Sequence, residues 1–172
     1  KSNISGLAHH PVVQVTRADA LAYCNWAGAR LPTEAEWEFA ARGGLEGAVF
    51  AWGNHELGPD GKRLANTWQG TFPFENTLDD GHLHTSPVKT YPANGYGLYD
   101  VAGNAWEMTA DLMDDPVSCC GGDATAARRM VIKGGSHLCA PNYCFRYRPA
   151  ARSGQEIDGA TSHIGFRTAI TP

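Results

Sequence analysis

Asn94-Gly-Tyr-Gly-Leu-Tyr-Asp-Val-Ala-Gly-Asn-Ala-Trp-Glu107 closes a long stretch in which no helical period survives. Between Ala51 and about Asp100 the chain is punctuated by Gly53, Gly58-Pro59, Asp60-Gly61, Gly70, Asp80-Gly81, Asn94-Gly95 and Gly97. Such dipeptides are turn signals, and so long an irregular stretch in a compact domain signals function or ligands that organise the backbone. Trp52, Trp68, Phe72, Phe74, Tyr91, Tyr96 and Tyr99 are spread through it and supply apolar surface that regular elements do not.

Regular structure is expected on either side. His10-Pro-Val-Val-Gln-Val15 reads as a short strand. Thr16 opens a helix with Asp19 in its first turn, and Gly28 ends it. Thr33 followed by Glu36 is a capping box for a second helix, which runs through Trp37, Phe39 and Ala40 to Arg42-Gly43-Gly44. Later, Met130-Val-Ile-Lys133, Phe145 to Ala151 and Ile164 to Ile170 read as strands. The pattern is α+β, with two early helices, short strands at both ends and little regular structure between them.

Composition limits the function classes. The chain has 172 residues, 42% of them hydrophobic and 19% charged, which suits one domain with a real core. A net charge of -4 argues against binding driven by nucleic-acid phosphates, and no apolar run has the length of a membrane span. Five cysteines cannot all pair within the chain, and Cys24 reads as a buried free thiol inside the first helix. The usage favours a reducing compartment.

Two constellations could carry chemistry. Cys139 and Cys144 flank a turn containing Pro141, and two soft thiolates suit a d10 cation such as Cu(I) or a redox disulfide. Ser136, His137, Arg146 and Arg148 lie close enough in sequence to favour the thiolate form. The second constellation is rich in oxygen. Asn66, Asp79 and Asp80, and then Asp100, Asn104 and Glu107 around Gly103, are of the type Ca2+ prefers, although turn residues bonding their own backbone explain the same pattern. His82 and His84 share a strand face without an obvious third zinc ligand. Vicinal Cys119-Cys120 has no evident role. The chain contains no GxSxG, P-loop or GxGxxG motif.

Arg30-Leu-Pro-Thr-Glu-Ala-Glu-Trp-Glu38, Ala51-Trp-Gly53, the Asn94–Glu107 stretch, Gly134-Gly-Ser-His-Leu-Cys139, Tyr143-Cys-Phe-Arg-Tyr-Arg148 and Gly165-Phe-Arg167 together resemble the formylglycine-generating enzymes, or sulfatase-modifying factors. The resemblance runs over nearly the whole chain. It implies one domain over 1–172 without the family's N-terminal part, and a fold related to C-type lectin domains. It also implies oxidation by O2 of the cysteine in a sulfatase Cys-x-Pro-x-Arg segment to Cα-formylglycine.

By the same resemblance, Cys139 and Cys144 bind Cu(I), and Cys144 matches the cysteine that forms a mixed disulfide with substrate. Ser136, Trp106 and Tyr143 match residues of the oxygen and substrate pocket, and Arg148 and Arg152 match arginines near it. One calcium site would use Asn66, Thr67, Asp80 and His82, and a second Asp100, Gly103, Ala105 and Glu107. Ala41, Pro149 and Thr168 stand where secreted animal members carry disulfide partners, and His163 where asparagine is common. The implied protein is a bacterial, cytoplasmic monomer whose partner is an unfolded sulfatase segment, without nucleic acid or membrane. The alternative is a non-catalytic binding module of the same fold.

Overall fold

A computed structural model describes residues 4–113 and 128–171; Cys119 and Cys120 lie outside the described residues. Helix α1 spans Arg17–Trp26 and α2 spans Glu34–Arg42. Among the described residues four strands follow: β1 Trp106–Leu112, β2 Arg129–Lys133, β3 Ser153–Glu156 and β4 Ile164–Phe166. They form one sheet in the order β3-β2-β1-β4. The β3–β2 and β2–β1 pairs are antiparallel and β1–β4 is parallel, with the β1–β2 register shifting between Met108 and Leu112.

Both helices start as their sequences dictate. Thr16 and Asp19 cap α1 reciprocally, and Thr33 and Glu36 do the same for α2, satisfying donors that a first turn leaves open. The opening of α2 is also tied to the sheet, because Asp111 of β1 accepts a 2.6 Å bond from the Glu34 N–H. Its far end stops at Gly43, in the left-handed conformation. Asn94 completes this end by donating to the carbonyls of Ala40 and Ala41 at 2.7 and 3.1 Å. Gly95 is required there, since a Cβ on it would lie 2.2 Å from the Gly43 carbonyl oxygen. Part of the irregular stretch is therefore the C-terminal cap of a helix.

The main core joins Trp106, Met108, Met130, Ile132, Tyr147 and Ile164, and a second cluster packs Trp37 and Ala41 of α2 on Ala51 and Val101. Lys133 at the end of β2 is fully buried, 3.2 Å from Glu38 and 3.5 Å from Glu34, with Trp37 beneath its ammonium group. Arg42 holds Glu38 from the other side and Arg152 holds Glu34. A buried ammonium group with these partners clamps α2 to β2.

Several strand expectations fail for identifiable reasons. Residues 10–15 form no strand, because Gln14 sits at φ 63°, which breaks a β ladder. Phe145 to Ala151 also lacks a strand partner. Its alternation is real, but it comes from Tyr147 packing among Phe50 and Phe145 while Arg146 points outward. The closing strand is only Ile164–Phe166, and β1 and β3 were not expected at all. The central strand hides because Glu107 and Thr109 are buried on it and disguise a core strand as a loop. No helix among the described residues is long and apolar enough to cross a membrane.

The clamp yields a prediction. Lys133→Ala leaves Glu34 and Glu38 facing a void and costs about 3 kcal/mol in urea unfolding, whereas Lys133→Met, which refills the space, costs less.

Candidate active site

Strand β2 delivers the site. After Lys133 the chain turns through Gly134 and Gly135, both at positive φ, and a Cβ on Gly135 would stand 2.8 Å from that of Tyr147. This close approach brings Ser136 to Cys139 under the Phe145–Arg148 segment. The Cys139 N–H donates to the Ser136 carbonyl at 2.9 Å, and the Cys139 carbonyl accepts from the Trp68 N–H at 2.9 Å. Residues 140–144 then make a single helical turn, with the N–H groups of Tyr143 and Cys144 both donating to the Ala140 carbonyl. That turn folds Cys144 back onto Cys139.

The two sulfurs lie 2.8 Å apart and both cysteines are free thiols. They are almost wholly shielded, with 2% and 6% of their surface exposed. At this separation the two share one proton. The hydrogen bond from Cys139 pushes the Cys144 thiol down, with help from the Arg146 charge, while the same bond and burial push Cys139 up. Of the two, Cys144 is the sulfur favoured as the thiolate.

The sulfurs line a cavity of about 300 Å³ that also includes Ser136, Trp106, Tyr143, Phe72, His163 and Arg146. Three expected residues therefore meet the thiols there: Ser136, fully buried; Trp106, at the start of β1; and Tyr143, largely exposed at the rim. Tyr143 stacks on Phe72 with ring centroids 4.4 Å apart, and Phe72 meets Trp68 edge-on at 5.0 Å. One wall is thus aromatic. Strand β3 contributes Ser153, Gly154 and Gln155 to the opposite side.

Arg148 and Arg152 are not among the residues lining this cavity. The Arg148 guanidinium donates to the Phe145 carbonyl and lies 4.9 Å from that residue's ring centroid, and Arg152 pairs with Glu34 at 2.9 Å. His137 is no cationic neighbour of the thiols either. Burial favours its neutral form, and its Nδ1 lies 3.0 Å from the Asn104 carbonyl oxygen. The cation that does act is Arg146, which also bonds Ser153 Oγ at 2.8 Å. Phe72 and His163 also line the cavity, with Ile132, Leu138 and Ile164, and their sequence neighbourhoods give no hint of the thiols. His163 is held there because its carbonyl accepts from the Trp106 N–H at 2.8 Å, and burial favours its neutral form.

Among the described residues no three His, Cys, Asp or Glu side chains converge on a common point. A two-thiolate donor set suits a soft cation content with few ligands, and Cu(I) is of that kind.

The oxygen-rich groups lie elsewhere. Asp100 is half-buried at φ 55°, with one carboxylate oxygen accepting from the Lys89 N–H and the other, Oδ1, buried beside Asn104 without a well-formed hydrogen bond among the described residues. Burial raises its pKa, and the nearby Glu107 charge acts in the same direction. An unpartnered carboxylate oxygen beside another carboxylate fits a cation. Glu107, however, is already gripped by Arg167 through both oxygens and by the Trp37 indole N–H at 2.6 Å.

The other group gives no such orphan. Asp80 accepts from the His82 N–H and the Tyr91 hydroxyl, and Asn66 donates to the His84 carbonyl. Buried Gln69, which sequence reasoning missed, bridges the Thr67 carbonyl and the Asp80 N–H.

The shared proton predicts a titration. Alkylation of Cys144 by a small electrophile, read by peptide mapping, should rise with a midpoint below that of an ordinary thiol. In Cys139→Ala, which removes the donor, the midpoint moves upward toward that of an ordinary thiol.

The sulfatase-modifying factor enzyme 1-like domain matches residues 1–172. The formylglycine-generating enzyme of Mycobacterium tuberculosis is 54% identical over 183 residues, covering 99% of this chain and 60% of that protein. The formylglycine-generating enzyme of Streptomyces coelicolor is 51% identical over 175 residues, covering 98% and 55%. A protein of Bos taurus named inactive C-alpha-formylglycine-generating enzyme 2 is 42% identical over 171 residues, covering 98% and 52%. The chain thus spans about three-fifths or less of these relatives. Among solved structures, Treponema denticola variable protein 1 superposes with a TM-score of 0.70 at 26% identity, covering 95% of this chain and 72% of that one. The chain belongs to the sulfatase-modifying factor enzyme 1-like family, as the formylglycine-generating enzymes resemble it over nearly its full length.

Proposed function

We propose that this chain carries the oxidase centre of a formylglycine-generating enzyme, which converts the cysteine of a sulfatase Cys-x-Pro-x-Arg segment to Cα-formylglycine with O2. The observation that carries the reading is the convergence of Cys139 and Cys144 at 2.8 Å in a cavity shared with Ser136 and Trp106. A purely structural thiol pair would have no need of an open cavity beside it. The kinship with two bacterial proteins named for this activity supports the same reading.

Cu(I) held by Cys139 and Cys144 would supply the electron transfer to O2 that protein side chains cannot. The remaining work falls to the chain. Arg146 and the bond from Cys139 keep Cys144 as a thiolate, ready for a soft cation or for exchange with a substrate sulfur. Burial of Ser136 and Trp106 restricts water around the sulfurs, and the Tyr143–Phe72 wall offers an apolar surface to an entering peptide. The net change replaces C–SH by C=O; with O2 reduced to water and sulfur released as H2S, two further electrons come from an external thiol.

Calcium is proposed at the second oxygen-rich group, where Asp100 has the unpartnered oxygen and Glu107 and the carbonyls of Gly103 and Ala105 are near in sequence. At Asn66, Thr67, Asp80 and His82 the proposal rests on resemblance alone. The relation to C-type lectin domains, bacterial cytoplasmic placement, the monomeric state and the sulfatase partner are likewise parts of this reading.

The non-catalytic alternative finds support in the likeness to the bovine protein named inactive and to the variable protein. The thiol pair separates the two readings. Cys144→Ser should abolish peptide conversion and weaken Cu(I) retention against a competing chelator, with the fold unchanged by circular dichroism. Undiminished conversion in that variant would defeat the oxidase reading. For calcium, chelation should lower the melting temperature of the parent protein and leave that of Asp100→Asn nearly unmoved.

A further inference from the structure

A column of three aromatic rings leads away from the thiol pair, and none of them lines the thiol cavity. Tyr147 is buried in the same core cluster as Cys139 and Cys144. Burial, the Glu56 carboxylate and, more weakly, the Cys139 charge all raise its pKa. Its ring stacks on buried Phe50 with centroids 5.8 Å apart and planes 16° from parallel. Phe50 stacks in turn on Trp52, at 5.1 Å and 3°. Two backbone bonds between Phe50 and Gly53 close the turn that holds these last two rings, and Trp52 is half-buried at its outer end.

The polar groups at the two ends differ in kind. The Tyr147 hydroxyl donates to Glu56 at 3.1 Å, and Glu56 is itself partly exposed, 3.9 Å from Arg63. A phenol gives up an electron near neutral pH only when its proton leaves as well, and a carboxylate in contact with solvent can take that proton. Trp52 donates its indole N–H to the His55 carbonyl at 2.8 Å. A carbonyl accepts a hydrogen bond but not the proton, so an oxidised indole there keeps its N–H. Trp52, Glu56 and Tyr147 also border one narrow void, which brings indole, carboxylate and phenol together. Packing accounts for the rings, but it does not require the partner of a buried phenol to be a carboxylate open to solvent.

We propose that Tyr147, Phe50 and Trp52 form a relay that drains oxidising equivalents from the thiol pair to an external thiol when O2 reacts with no peptide in place. The proposal rests on the oxidase reading for the source of the oxidant. O2 that takes one electron from the pair becomes superoxide and leaves a sulfur radical. Tyr147 returns an electron to that sulfur, restoring the thiolate, while its phenolic proton passes to Glu56. Trp52 then reduces the tyrosyl radical across the Phe50 ring, and Glu56 gives the proton back. The external thiol supplies one electron to the oxidised Trp52 and releases its own proton to water, and two such thiols end as a disulfide. Each passage leaves the three rings and Glu56 unchanged. Without it, the sulfur radical proceeds to sulfinic acid, which thiols do not reverse.

The ring contact is tested in the metal-free chain by pulse radiolysis, in which azide radicals oxidise tryptophan and the hole is followed as it passes to tyrosine. The background is Trp26→Phe, which removes the other indole in ring contact with a tyrosine among the described residues. A fast intramolecular phase is expected there. It should be lost on adding Trp52→Phe or Tyr147→Phe, and slowed by about 100-fold by Glu56→Gln, which removes the proton acceptor. In a second measurement the protein is held with copper, a thiol reductant and air but no peptide. Trp52→Phe and Tyr147→Phe should then accumulate sulfinic acid at Cys139 or Cys144 faster than the parent, as read by peptide mapping. A fast phase that survives either substitution, or thiols that oxidise no faster in these variants, would overturn the relay. Neither measurement reads peptide conversion, so a parent protein that fails to convert peptide counts against the oxidase reading separately.

Discussion

One carboxylate holds the molecule together. Glu107 lies on the central strand with 8% of its surface exposed, and it receives both arms of Arg167, from the segment after β4, and the indole N–H of Trp37, from α2. Three elements distant in sequence thus meet at one side chain. A buried carboxylate is stable only when its charge is answered and most of its lone pairs are used; here Arg167 answers the charge and three hydrogen bonds leave one acceptor site on Oε1. Because Trp106 is its immediate neighbour and points toward the thiol cavity, this anchor also fixes one wall of the site. Asp100, with its unpartnered oxygen, stands in the same neighbourhood, so a bound cation there would couple site order to fold stability.

The site itself is built from backbone turns on a stiff base. Strand β2 ends in a buried lysine clamped by α2, and the chain then reverses through two glycines that permit contact with Tyr147. A single helical turn closes the loop and sets one sulfur against the other. The chemistry that follows is asymmetric. The same hydrogen bond that raises Cys139 lowers Cys144, and Arg146, the one cation acting on the pair among the described residues, favours the same sulfur. Arg146 also holds Ser153, so the strand that borders the cavity and the thiolate it faces are linked through one guanidinium.

Much of this was legible in the sequence, and the exceptions have physical causes. Capping residues are local, so Thr16, Thr33 and Gly43 announced both helices to within a residue. The thiol pair was legible because its turn is closed by bonds within five residues. Strand β1 was not, since the charge on Glu107 is neutralised by an arginine 60 residues away and no local pattern records that. The ring-and-charge alternation of Phe145 to Arg148 gave a correct burial pattern and the wrong element, because buried aromatics on a coil satisfy the same period as a strand. Arg148 and Arg152 looked like site residues by resemblance, yet each is engaged by a partner away from the cavity lining. Gln69 entered only through the tertiary fold, and the place of Phe72 and His163 beside the thiols was likewise not written in their neighbourhoods.

The central proposal is that the two thiols serve oxidation of a peptide cysteine. It is tested most directly by mass spectrometry of a Cys-x-Pro-x-Arg peptide incubated with this chain, Cu(I), a thiol reductant and O2. The account predicts the mass loss that accompanies conversion of CH2SH to CHO, dependent on both copper and oxygen. An unchanged peptide mass with Cu(I) bound to the protein would contradict it.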